Sequence, residues 1–124
     1  MIGYVMVGTN NLDQSIKFYD ELLEVLDLER TEKDEVCAGY SQKNSNGKVE
    51  FYVTKPFNKE RATVGNGSQI SFQTSSRELV DKFHDVGIKL GGASEGSGGE
   101  RPEGSGVYYS CLLYTSPSPR DGLL

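Results

Sequence analysis

The chain has 124 residues, with 13 Lys plus Arg against 18 Asp plus Glu and a formal net charge of -5. This acidic balance leaves no electrostatic footprint for phosphate backbones, so nucleic acid is not expected as a partner. No run approaches the roughly 20 apolar residues needed to cross a bilayer, and Met1 leads into a strand-like segment without a signal-peptide pattern, so the expectation is a cytoplasmic protein with no membrane partner.

Ile2 to Thr9 is rich in β-formers and ends at Asn10-Asn11. Asn11 can cap a helix, with Gln14 three residues on completing a box-like pair. Leu12, Ile16, Tyr19, Leu22, Leu23 and Leu26 then recur at helical spacing, leaving Asp13, Lys17, Asp20, Glu21 and Glu24 as a solvated acidic face. Leu28 to Lys33 and Glu35 to Gln42 read as strands, Asn46-Gly47 as a two-residue hairpin turn, and Lys48 to Thr54 as the strand after it, closed by Pro56. Cys37, within the second of these, reads as a small packed residue; one cysteine in this part of the chain cannot build a disulfide framework or a thiolate metal site.

After the polar link from Asn58 to Gly67 the order repeats. Ser68 to Thr74 reads as a strand, and Ser75 with Glu78 as a capping box. Leu79, Val80, Phe83 and Val86 form an apolar stripe closed by Gly87 as a C-cap. Strands at Ile88 to Leu90 and Val107 to Ser110 follow, on either side of a Gly-rich connection from Gly91 to Gly106. That connection leads into a strand rather than a helix, so it is not read as a phosphate cradle. His84, the only histidine, follows Phe83 on the second helix and reads as a surface or rim residue. From Cys111 the pattern changes: Cys-Leu-Leu-Tyr-Thr-Ser-Pro-Ser-Pro-Arg-Asp at 111 to 121 resembles the in-frame translation of a transposase adapter used in sequencing libraries. Residues 111–124 are therefore set aside as a non-native tail.

The remaining residues, 1–110, suit one domain made of two similar units, 1–57 and 68–110, each too small to be stable alone. Alternation along the strands assigns their faces. Val49, Phe51 and Val53 point to a helix, leaving Glu50, Tyr52 and Thr54 on the other side; Val5 and Val7 leave Tyr4 and Met6; Ile70 and Phe72 leave Gln69, Ser71 and Gln73. The inferred fold class is α+β, two paired βαβββ modules forming a curved mixed sheet, a cup with the helices outside and the last strand truncated. A half-polar cup interior is a place for a small organic molecule.

Tyr4-Val-Met-Val-Gly-Thr-Asn-Asn-Leu-Asp-Gln-Ser-Ile-Lys-Phe18-Tyr19 resembles the opening strand and helix of the vicinal oxygen chelate superfamily, the glyoxalase, bleomycin-resistance and extradiol-dioxygenase fold. Thr63 to Gly67, Leu90 to Gly92 and Gly106 to Tyr109 resemble segments of its small glyoxalase-like members. The resemblance implies two βαβββ modules around a cup that holds a divalent metal in the enzymes. The metal positions of those enzymes fall here at Tyr4, Glu50 and Gln69, with the fourth beyond Ser110. A single carboxylate, an amide and a phenol are poor ligands for such a site, so no metal residues are assigned and the cofactor is left open between none and a divalent cation.

The site residues expected from this reading are Glu50 as the catalytic group of any reaction, with Tyr4, Tyr52, Gln69, Ser71, Arg101 and Tyr108 as ligand contacts. Glu50 would act as a base in proton abstraction or isomerisation, with burial beside aromatic rings raising its pKa. The simpler reading of Glu50 is a hydrogen-bonded or solvated carboxylate on the open face. Arg101 would meet an anionic ligand group from a lid formed by the Gly-rich connection. Three functions are carried forward: a glyoxalase-like small-molecule-binding domain without a complete metal site; a metal-dependent lyase, lactoylglutathione lyase-like, or dioxygenase; and a drug-sequestering resistance protein binding at a homodimer cleft. Whether the chain is an enzyme stays open.

Overall fold

The computed structural model describes residues 1–63 and 68–91, together with the backbone of 99–100 and 108–112. The elements are β1 (Val5–Gly8), α1 (Leu12–Glu24), β2 (Leu28–Lys33), β3 (Cys37–Gln42), β4 (Val49–Thr54), β5 (Ile70–Thr74), α2 (Arg77–Lys89), β6 (Gly99–Glu100) and β7 (Tyr108–Leu112). The fold is α+β, and its first half is a complete βαβββ unit.

Asn11 caps α1 as expected, its Oδ1 accepting from the Gln14 N–H at 3.1 Å. The apolar stripe of α1 buries Leu12, Ile16, Tyr19, Leu22 and Leu23, joined by Phe18. Leu26 lies past the helix end, because the chain turns through Asp27 at φ +59°. β1 pairs parallel to β4, and β4, β3 and β2 follow antiparallel, giving the order β1-β4-β3-β2. A second sheet has the order β5-β7-β6 with both pairings antiparallel. The curved assembly is thus hydrogen-bonded as two sheets among the described residues.

The helix-facing sides of both sheets meet in one core. Tyr19 packs on Phe51 with ring centroids 5.0 Å apart, Phe51 on Phe72 at 5.5 Å, and Phe72 on Phe83 of α2 at 5.6 Å. This aromatic seam joins the two halves. Edge-to-face and tilted rings of this kind add to the burial of apolar surface. The connection after β4 is pinned back onto the β1–α1 turn: the Ala62 N–H donates to Asn10 Oδ1 at 2.7 Å, and Asn10 Nδ2 donates to the Ala62 carbonyl at 3.2 Å.

Several boundaries differ from those expected. β1, β3 and β4 begin later than the sequence pattern suggests, at Val5, Cys37 and Val49, and β5 begins at Ile70. The hairpin between β3 and β4 is a loop over 43–48, not a two-residue Asn46-Gly47 turn. Asn44, Asn46 and Gly47 all take positive φ (65°, 61° and 74°), and Ser45 closes on Gln42 through both its N–H and its hydroxyl.

The cap of α2 is Ser76 rather than Ser75: its hydroxyl accepts from the Leu79 N–H, while Thr74 Oγ1 donates to the Ser76 carbonyl at 2.8 Å. Glu78 is then one position too early to complete a box. Gly87 does not end α2 but sits buried inside it, and the expected strand at Ile88 to Leu90 is the last turn and C-cap of the helix, with the Leu90 N–H bonded to the Val86 carbonyl at 3.0 Å. The left-handed residue that stops the helix is Gly91, at φ +102°. β7 runs two residues past the expected end, because Cys111 and Leu112 take the ladder positions opposite Ser71 and Ile70. The remaining residues of the set-aside tail, 113–124, lie outside the described residues. Among the described residues, no helix is long and apolar enough to cross a membrane.

Candidate functional site on the open face of the first sheet

The alternation of β4 places Val49, Phe51 and Val53 in the core and turns Glu50, Tyr52 and Thr54 to the opposite face. Met6 of β1 lies beside Tyr52 in the parallel ladder, and Tyr4 precedes it on the same face. The Tyr4 and Tyr52 rings meet edge to face, with centroids 5.0 Å apart and planes at 75°. Tyr52 is held from two further directions. Its hydroxyl donates to Glu32 Oε2 at 3.2 Å, and its ring lies over Gly39 so closely that a Cβ there would come within 2.8 Å of Tyr52 Cε1. Desolvation first, and then the Glu32 carboxylate, push the Tyr52 hydroxyl above the ordinary tyrosine value.

Glu50 is exposed, and its Oε2 accepts from Gln42 Nε2 at 3.1 Å. The burial expected of it is therefore not found; an exposed carboxylate at a strand surface is reached by water, while the Tyr4 and Tyr52 rings pack on each other. Gln69 precedes β5, is exposed, and donates through Nε2 to Ser71 Oγ at 3.2 Å. The expected contacts are thus brought together in two groups, Tyr4 with Tyr52 and Gln69 with Ser71. Among the described residues, no hydrogen bond or ring contact links Gln69 to Tyr4 or Glu50. Tyr108 starts β7 opposite Thr74 and Glu100, and its side chain lies outside the described part of the structure. Arg101 and most of the Gly-rich connection proposed as a lid lie outside the described residues as well.

Glu32 was not singled out in the sequence, and no local signal would have found it. Leu28-Glu-Arg-Thr-Glu-Lys is polar after its first residue, so alternation there has nothing to mark. An irregularity between Arg30 and Glu32 then decides the faces: Arg30 pairs with buried Tyr40 and reaches Asp20, while Glu32 pairs with Gly39 and reaches Tyr52.

Other candidates are placed by the same geometry. Cys37 is half-buried, and desolvation, followed by Asp34, raises its thiol pKa, which opposes thiolate chemistry. His84 lies on α2 with Nδ1 4.0 Å from Asp85, remote in the fold from Tyr52. A cleft of about 560 Å³ opens at the start of α1, with Asn10, Asp13, Lys33, Asp34 and Lys55 in its wall. Its mixed charges select no ligand, and it is separate from the aromatic face. Among the described residues, no group of three or more His, Cys, Asp or Glu is placed to hold a metal ion. Tyr4, Glu50 and Gln69 do not fit one: each is engaged with a different neighbour, and together they offer one carboxylate.

No family model matches the chain, and no curated protein matches it. Among solved structures, a glyoxalase/bleomycin resistance protein from Albidiferax ferrireducens T118 is similar to it with a TM-score of 0.73 and 33% sequence identity. The match covers 91% of this chain and 97% of that one.

Proposed function

The chain belongs to the glyoxalase/bleomycin resistance family, and from that premise we infer that it binds a small organic molecule on the open face of its first sheet, against Tyr4 and Tyr52. One observation carries the reading: Tyr52 is fixed by Gly39, Tyr4 and Glu32 while it and its neighbours Tyr4 and Met6 still meet solvent. Flat aromatic surface with a hydroxyl handle suits an amphiphilic ligand. Glu50 forms a polar border of the same face. In a reaction, it is the group that would take a proton from a bound carbon acid, and Glu50→Gln would then abolish turnover while leaving binding in place.

Binding without turnover, as in a resistance protein that sequesters its ligand, uses the same face and yields no product. The metal-dependent lyase or dioxygenase reading lacks support from the donor geometry of Tyr4, Glu50 and Gln69. The test is an NMR titration with a panel of amphiphilic aromatic fragments. The expected result is shifts centred on Tyr4, Met6 and Tyr52, lost in Tyr52→Ala with the denaturation midpoint little changed. Shifts centred elsewhere, or undiminished binding by a folded Tyr52→Ala, would overturn the assignment.

A further inference from the structure

Tyr4 and Met6 keep 56% and 49% of their surface exposed, so the apolar corner that they form with Tyr52 stands open to water. Two carboxylates border it. Glu32 accepts from the Tyr52 hydroxyl, and Glu50 lies on the same face of β4, two residues before Tyr52. Of the nearby cations, Arg30 pairs with Asp20 and Lys43 with Glu24 beside α1, Lys33 and Lys55 line the cleft at the start of that helix, and exposed Lys48 precedes β4, four residues before Tyr52 and beyond Glu50. The charge facing the Tyr52 hydroxyl is that of the Glu32 carboxylate.

Aromatic rings carry negative potential on their faces, which attracts an ammonium whose methyl or methylene groups also pack on the ring. A carboxylate at the base of the same corner balances the charge. An anionic ligand would meet repulsion from Glu32 and Glu50.

We propose that the corner formed by Tyr4, Tyr52 and Met6 binds a small organic cation, an ammonium on an apolar body, with Glu32 as its counter-ion. The assignment deepens the small-molecule reading above and rests on it. Glu32 has two tasks here, since it holds the Tyr52 hydroxyl and faces the ligand charge. Binding weakens as salt is added, as expected for an attraction at a partly exposed site.

The experiment compares choline with 3,3-dimethylbutan-1-ol, its uncharged isostere, in NMR titrations that follow the Tyr4, Tyr52 and Met6 signals. Choline is expected to bind about tenfold more tightly than the isostere, the order of a cation–π contact with partial desolvation. Glu32→Gln should remove most of that preference, and Tyr52→Leu should weaken both compounds. Equal affinities, or choline shifts that map elsewhere, overturn the cation assignment and leave the face free to bind a neutral molecule. Silence of these signals with both compounds also overturns it. If the aromatic fragments are silent there too, the small-molecule reading falls with it.

Discussion

Tyr40 is closed off from solvent beneath α1, with its hydroxyl donating to Asp20 Oδ1 at 2.8 Å, while Arg30 reaches both Asp20 oxygens at 3.1 and 3.3 Å. Asp20 was expected to be part of a solvated acidic face and is instead the hub that satisfies a buried phenol. Burial, and after it the hydrogen bond to Asp20, raise the Tyr40 pKa well above that of an unfolded tyrosine. Below about pH 10, the ordinary tyrosine value, both states are neutral and this contribution is complete; above it the unfolded chain ionises first and stability falls. Denaturant midpoints of Tyr40→Phe and the parent should therefore converge as pH rises through that range. At neutral pH the substitution should cost about 1 kcal/mol for the lost hydrogen bond. Convergence on the acid side would contradict the assignment. At this scale the sequence was readable where alternation is clean: Val49 to Thr54 placed Tyr52 and Glu50 on one face correctly. Glu32 and Asp20 were not readable, because a strand irregularity and a contact across 20 residues set their roles.

Helix starts and stops are decided by single hydrogen bonds, and α2 offers two adjacent serines as competitors. Ser76→Ala should destabilise by about 1 kcal/mol, since the Leu79 N–H loses its acceptor, whereas Ser75→Ala should change little. Equal effects in thermal unfolding would move the cap back to Ser75. Gly87 provides a second test. A Cβ there would meet Leu22 Cδ1 at 3.6 Å, an ordinary contact, and the residue is interior to the helix. Gly87→Ala should accordingly raise stability by about 0.5–1 kcal/mol, and Gly87→Leu should lower it by wedging α2 away from α1. A loss on Gly87→Ala would show that the helices need a closer approach. Both helices were visible from their 3.6-residue stripes. Their ends were not, because Ser75 and Ser76, or Gly87 and Gly91, differ only in what the folded chain places beside them.

Among the described residues each half opens with a strand and a helix, but three strands follow α1 and two follow α2, and the pairing differs as well. The first strand of the first half pairs parallel with β4; β5 pairs antiparallel with β7. The strand–helix start of each half was legible in the sequence, but pairing partners lie far apart in sequence and leave no mark on local alternation. Cys111 and Leu112 now cover Ser71 and Ile70 in that ladder. A chain ended at Ser110 should show faster amide exchange around Ile70 and Ser71, with Val5 to Gly8 unaffected. Unchanged protection at β5 would mean that those two residues contribute nothing to its pairing.

Tyr52 reaches its working orientation when the chain folds, since Gly39, Tyr4 and Glu32 all belong to the same half of the molecule. The rotamer freedom of that ring has then been surrendered before any encounter in solution, and complex formation need not surrender it again. Association should be quick and should leave the backbone nearly still, so that weak and strong ligands of this face differ chiefly in how long they stay.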